Sequence, residues 1–269
     1  MTDIDSYLEH IQYKGPHQPT QDVLHALHVR HTRSIPFECL SPFTGSAVDL
    51  DIDALITKFT RQKRGGYCYE HNALFQYVLR DIGFAVEGLA ARVRMNVPND
   101  VITPRTHMLL LVDVQGEPFI ADTGFGRLTL TAPIRLVPDL VQDTPHGPYR
   151  LQSRGDAFCL QTKAKSQWQD LYEFNLMPHY REDYEVCNWY TSTHPSSSFV
   201  NELIAARPDP AGRNVLHNKQ YSFYHLDGRV ERRQLVSVDE IKEVLETKFL
   251  ISTSGIARLD ARLSAMLLA

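Results

Sequence analysis

The sequence predicts an α+β fold in which helices come first, strands follow and a mixed segment closes the chain, and three observations along its 269 residues carry that reading. Apolar residues recur at helical spacing through the first third. The period switches to two near residue 85, and the tail after about residue 200 combines a hairpin signal with a capped helix.

Ile4, Tyr7, Leu8 and Ile11 fall at i, i+3, i+4 and i+7, the stripe of an amphipathic helix. Thr20, after Pro19, is placed to cap a second helix through Val23, Leu24 and Leu27. Ile52, Leu55, Ile56 and Phe59 repeat the stripe, as do Phe75, Val78, Leu79 and Ile82, after which Gly83 suits a left-handed stop. From Leu89 to Met95 apolar and polar positions alternate as in a half-buried strand. His107–Val114 and Pro118–Asp122, joined at Gln115-Gly116, read as a hairpin, and short strand candidates continue to about Thr193, so the middle third predicts a sheet or small barrel. Ala206–Gly212, with two prolines and a glycine, reads as a linker. Beyond it stand a hairpin segment, Tyr221–Leu226 turning at Asp227-Gly228, and a helix opened by the capping box Ser237-x-x-Glu240.

A chain with 43% hydrophobic and 22% charged residues can bury a substantial core without disulfides or metal. Lys and Arg number 28 against 32 Asp and Glu, a net charge of −4 with no block of one sign, which argues against nucleic acid as the main partner. A polyphosphate ligand must then be held by a few local cations and backbone donors. The acidic start MTDIDSYLEH lacks the pattern of an export signal, and no apolar run approaches the ~18 residues of a spanning helix; a cytoplasmic location without a membrane partner is expected. Cys39, Cys68, Cys159 and Cys187 are scattered, form no C-x-x-C pair and suit a reducing compartment rather than a metal site.

The segment from Arg64 to Asn72 is the most informative. Gly65-Gly66 permits a tight turn, and the periodic run that follows puts Cys68 at or near a helix N-terminus, where free N–H groups and the positive end of the helix dipole favour a thiolate. A plain turn followed by a buried cysteine would look the same, and the segment alone leaves both readings open. A nucleophilic cysteine needs a base and a group to orient it. If the two strands pair about the Gln115-Gly116 turn, residues whose numbers sum to about 230 face each other, and His107 and Asp122, at 229, would come side by side. Taken with Cys68, they favour a Cys-His-Asp site over three unrelated residues.

With these residues in place the chain resembles the arylamine N-acetyltransferases. Arg64-Gly65-Gly66-Tyr67-Cys68-Tyr69-Glu70-His71-Asn72 is similar to that family's signature. Ser34-Ile35-Pro36-Phe37-Glu38, Thr106-His107-Met108, Asp122-Thr123-Gly124-Phe125-Gly126 and His194-Pro195-Ser196-Ser197-Ser198-Phe199 are similar to its other recurring elements, in the same order. The resemblance implies a multidomain chain: an N-terminal helical bundle (1–84), a central β-barrel (85–200) and, after a linker, a C-terminal α/β lid (201–269). It also implies a papain-like site, with Cys68 as nucleophile, His107 as base and Asp122 as orienter. Acetyl-coenzyme A is the implied cosubstrate, none being tightly bound, and the implied reaction is ping-pong transfer to aromatic amines, hydrazines or N-hydroxyarylamines. One departure stands out: Cys39 follows Glu38 where the family commonly has Asn.

Gly124, Phe125 and Gly126 are candidates for coenzyme A contact through backbone N–H groups, and Phe37, Tyr69, Phe125 and Phe199 for the walls of a flat acceptor pocket. Arg92, Arg94 and Arg105 read better as a solvated strand face than as phosphate ligands. Glu38 and Arg64 are candidates for an ion pair beneath the site, although two unrelated surface charges would read alike. His71 has no assigned catalytic role. The rivals are a cysteine peptidase or transglutaminase-like enzyme on the same triad, and a silent binding protein.

Overall fold

The computed structural model describes residues 4–98, 100–164 and 167–269. Helices Ile4–His10 and Gln21–Ser34 form where their stripes predict, the second capped by Thr20, whose hydroxyl accepts from Val23 N at 3.4 Å. The third stripe gives an α-helix only over Ile52–Ile56; Thr57–Arg61 continues it as a π-helical turn. The Cys68–Ile82 helix buries Phe75, Val78 and Leu79 and ends at Gly83 with φ 105°.

Eight antiparallel strands form the second layer, ordered edge to edge as Ile134–Arg135, Glu117–Ala121, His107–Val114, Ala85–Val93, Gln167–Phe174, Ala157–Ala164, Gly147–Arg154 and Gln142–Thr144. The sheet curls until its edges meet. There the Gln142 side-chain amide accepts from Arg135 N (2.8 Å) and donates to Arg135 O (2.9 Å), replacing a backbone pair in a nearly closed barrel.

The segment Arg181–Thr193 is an α-helix, not the further strands that the sequence suggested. Its buried face is Tyr184, Asn188, Thr191 and Ser192, largely polar, so no apolar stripe announces it. Ala206–Gly212 is likewise no linker. It is the core of a hairpin between Ile204–Asp209 and Gly212–His217, part of a five-stranded sheet that also holds Gln220–His225, Val230–Gln234 and, as an edge, Phe37–Glu38. The helix at Val238–Lys248 is capped by Ser237 Oγ, which accepts from Glu240 N at 3.2 Å. Among the described residues no helix is long and apolar enough to cross a membrane.

Glu38 and Arg64 do meet. The guanidinium lies 2.7 Å from Glu38 Oε1, the carboxylate is fully buried, and Glu38 Oε2 accepts from Leu40 N at 2.5 Å. Removing one partner of such a pair strands a buried charge at a cost of about 3–5 kcal/mol. Arg64→Ala is therefore expected to lower the melting temperature far more than Arg232→Ala, which sits on an exposed strand; equal melting curves would dismiss a structural role for the pair.

Candidate active site

Cys68 is the first residue of its 15-residue helix. The Glu70 carboxylate folds back to accept from Tyr67 N at 3.1 Å and pairs with Lys58 at 2.5 Å, which fixes the first turn. Gly65 is required just upstream: a Cβ there would lie 1.8 Å from Pro36 O, against which the loop is laid. The thiol is only 4% exposed and donates to Thr106 O at 3.7 Å.

His107 and Asp122 arrive on the expected hairpin, tightly turned at Gln115 (φ 56°) and Gly116 (φ 87°). Its register pairs Val114 with Glu117 and Leu110 with Ala121, a one-residue shift from the register expected. Extended past its last pair, that register sets Asp122 against Leu109, so His107 lies diagonally on the same face, within side-chain reach. His107 Nε2 donates to Asp122 Oδ2 at 2.8 Å, leaving Nδ1 as the nitrogen free to meet the Cys68 thiol.

Asp122 is held by groups that sequence reasoning missed. Its Oδ1 accepts from Asn72 Nδ2 (3.0 Å) and Gly124 N (2.9 Å), and its own N–H donates to His28 Nε2 (3.2 Å). Asn72, one helical turn beyond Cys68, also donates to Met108 O (2.7 Å) and accepts from Thr123 N and Oγ1 (3.1 and 3.2 Å). It is part of the signature segment, and its four-residue spacing from Cys68 was the available signal. Burial disfavours charge on His107, but the Asp122 carboxylate and its hydrogen bond, then Cys68, more than offset this and raise the imidazole to about 10. Burial likewise opposes ionisation of Asp122, and His107, Asn72 and Gly124 together hold its carboxyl below the usual range.

A cavity of 430 Å³ opens beside Cys68 and His107, walled by Phe37, Phe125 and Phe199, with Gly124 and Gly126 along one side. Ser197 and Ser198 from the His194–Phe199 motif also line it, as does Arg127, whose guanidinium lies 5.3 Å over the Tyr224 ring. Tyr69 is not brought to this cavity. One residue on from Cys68 it turns about 100° around the helix and packs against Tyr67 and Tyr184, 1% exposed. The expectation that the Gly124-Phe125-Gly126 backbone offers N–H groups to a ligand is corrected for two of the three: Gly124 N is bound to Asp122 Oδ1 and Phe125 N to Thr129 Oγ1 (3.2 Å). The use of Gly124 is room, since a Cβ there would lie 2.7 Å from Cys68 Cα. Arg92 and Arg94 are tied to the carbonyls of Thr103, Val101 and Pro98, and neither they nor Arg105 line the cavity. The Cys39 thiol accepts from Ile204 N at 3.2 Å and donates to Glu202 O at 3.2 Å, so the departure at this position binds the helical part to the five-stranded sheet.

Below the site lies a neutral relay. Tyr7 Oη is 2.7 Å from His31 Nδ1, His31 Nε2 is 2.8 Å from His71 Nδ1, and His71 Nε2 donates to Pro36 O at 3.1 Å, which fixes one direction of donation throughout. Burial, first of all, lowers His28 to about 3, His71 and His146 to about 4, and His31 well below its ordinary value. Because these folded values lie below the unfolded value near 6.5, the stability they contribute is complete above that pH and is lost as the pH falls towards 4. His107 has the opposite sign: its contribution is complete below 6.5 and declines as the pH rises towards 10. Between pH 4.5 and 8 the melting temperature is therefore expected to peak near 6.5 and to fall more steeply on the acid side. A flat acid limb in calorimetry would refute the buried neutral histidines.

A sequence profile described as N-acetyltransferase matches residues 20–257. An arylamine N-acetyltransferase of Escherichia coli is 40% identical over 91% of this chain and 88% of its own length. An arylamine N-acetyltransferase / N-hydroxyarylamine O-acetyltransferase of Salmonella typhimurium is 39% identical over 93% of this chain and 90% of its own. The solved arylamine N-acetyltransferase of Mycobacterium marinum superposes with a TM-score of 0.95 at 40% identity, covering 98% of this chain and 100% of that one. The same enzyme in complex with CoA gives 0.94 at 39% identity, covering 98% and 99%. With similarity of this extent over nearly the whole length, the chain belongs to the arylamine N-acetyltransferase family.

Proposed function

We propose that this chain transfers an acetyl group from acetyl-coenzyme A to aromatic amines, hydrazines or N-hydroxyarylamines, with the acetyl group carried in between on Cys68. The observation that carries the residue assignment is that Cys68 and His107 both line the aromatic cavity, with Asp122 fully buried behind His107 at 2.8 Å. Raised to about 10, the His107 imidazole is basic enough to accept and hold the proton that leaves Cys68 as its sulfur attacks. The Cys68 sulfur attacks the thioester carbonyl, coenzyme A leaves as its thiol with the proton from His107, and acetyl-cysteine remains. An amine then attacks that carbonyl, His107 takes its proton, and the Cys68 sulfur departs. Asp122 fixes the ring and stabilises the imidazolium without itself taking the proton. The placement of the nucleophile at a helix start and the base on a strand supports reading the arrangement as papain-like.

The glycines at 124 and 126 leave room for the pantetheine arm, Arg127 is a cation at the cavity wall for the donor's phosphates, and Phe37, Phe125 and Phe199 face the flat acceptor. Structural units at 1–84, 85–200 and 201–269 are supported by a core confined to the barrel and a core of the C-terminal part that also takes in Cys39, Leu40 and Phe43, while the core of the helical part runs on into the barrel through Met108, Leu110, Val112 and Phe119. The test is intact-mass analysis with acetyl-coenzyme A and no amine. One acetyl adduct at Cys68 is expected, discharged quickly by an aromatic amine and slowly by water. Failure to form the adduct, or discharge by water as fast as by the amine with cleavage of a peptide amide, would favour the peptidase-like alternative.

A further inference from the structure

A second cavity, 580 Å³ against the 430 Å³ at Cys68, lies where the end of the Ile4–His10 helix, the C-terminal half of the Gln21–Ser34 helix, Lys63 and Leu250 converge. Five of its lining residues are basic, His10, His25, Arg30, Arg33 and Lys63, and none is Asp or Glu. In a chain with more acidic than basic residues, such a lining departs from the mixed surface expected.

Its cations are not consumed internally. Arg30 gives one hydrogen bond to Gln12 O at 2.6 Å. The side chains of Arg33 and Lys63 have no hydrogen bond or ion pair among the described residues. The bland explanation is that arginines in the last turn offset the helix dipole. Four helical segments end at this cavity, after His10, Ser34, Arg61 and Lys248, and with about half a negative charge at each end they still fall short of the three positive charges of two guanidiniums and an ammonium. The positive field is felt locally, for His10 is lowered by burial and then by the charge of Lys63.

Gln12 (φ 56°), Lys63 (φ 49°) and Leu250 (φ 61°), three of the eight non-glycine residues with left-handed backbone among the described residues, all line this one cavity. Each stands just past a helix end, where a left-handed residue is a common stop, closed by Tyr13 N donating to Leu8 O, Arg64 N to Lys58 O and Ile251 N to Leu245 O. Lys63 O accepts from Ser252 N at 2.8 Å and Arg33 O from Arg207 Nη1 at 3.2 Å, so the C-terminal part of the chain braces both cationic positions.

We propose that this cavity is a binding site for a phosphate-bearing small molecule, separate from the donor and acceptor cavity at Cys68. Phosphate oxygens accept several charge-assisted hydrogen bonds at once, and the unpaired Arg33 fork and Lys63 ammonium supply such donors. The test is isothermal titration with pyrophosphate on the full chain. Wild-type protein is expected to bind with saturation below ~10 mM, and the Arg33→Gln/Lys63→Gln double variant, altered only at partly or fully exposed side chains, roughly tenfold or more weakly with an unchanged far-ultraviolet spectrum. Arg127→Gln, at the Cys68 cavity, is expected to leave pyrophosphate affinity intact, and pyrophosphate-saturated protein to acquire its acetyl adduct as before. Absence of binding, equal affinity in the double variant, or loss in Arg127→Gln instead would overturn the proposal, the last by moving the anion to the donor's site.

Discussion

Cys68→Ala and Cys68→Ser are expected to abolish acetyl transfer, and His107→Ala and Asp122→Ala each to lower turnover by at least ~10³-fold, the scale seen when members of a cooperating triad are removed. The reasons differ residue by residue. Without Cys68 there is no atom to carry the acetyl group. Without His107 the proton of the thiol and later of the amine has no acceptor within reach. Without Asp122 the ring loses the partner at 2.8 Å that fixes Nε2 as a donor and leaves Nδ1 for sulfur. Because the three act as a unit, the His107→Ala/Asp122→Ala double variant should be little worse than either single one. Steady-state kinetics on variants with native circular dichroism decides the matter; near-normal turnover in folded His107→Ala protein would end the assignment.

Gly124→Ala is expected to cost roughly 10²-fold in the rate of acetyl-cysteine formation while the protein stays folded. The new methyl would approach Cys68 Cα to 2.7 Å and His71 Cβ to 3.1 Å, and neither backbone nor a buried ring stem can swing aside as a flexible side-chain tip can. The helix start must shift by a few tenths of an ångström or more, and misplacements approaching 1 Å are costly to reacting groups. Gly155→Ala is the control: its glycine has φ 64° and nothing within 4 Å, so the change strains a turn and leaves chemistry alone. Stopped-flow acylation rates that match in the two variants would show that the Gly124 contact does not constrain the nucleophile.

Much of this was readable from local pattern. The four helical stripes, the Gln115-Gly116 hairpin and the Ser237 cap follow from spacing and side-chain chemistry within a few residues, and so does the position of Cys68 at a helix start. What escaped depends on distant partners. The Arg181–Thr193 helix buries Asn188 against Tyr67 and Val48, a polar contact that no periodicity of apolar residues can announce. Pro208 was read as a linker residue, yet it sits in a strand opposite Arg213. His28 and Asn72 touch Asp122 across 94 and 50 residues of chain, and nothing beside either in the sequence names that partner. The misplacement of Tyr69 has a simpler cause: adjacency in sequence is not adjacency on a helix.

Asn72 has one more consequence, for motion. Nucleophile and base belong to different layers, and in many enzymes a gap of that kind breathes. Here the helix that begins at Cys68 reaches over, one turn later, and grips Met108, Asp122 and Thr123 with a single amide. Any drift of the helix relative to the barrel carries the imidazole and its carboxylate along with the sulfur, as instruments bolted to one bench keep their alignment when the bench moves. Substrate entry must then draw its freedom from other residues lining the cavity, such as Arg127 and Tyr190, and leave the three reacting side chains in register.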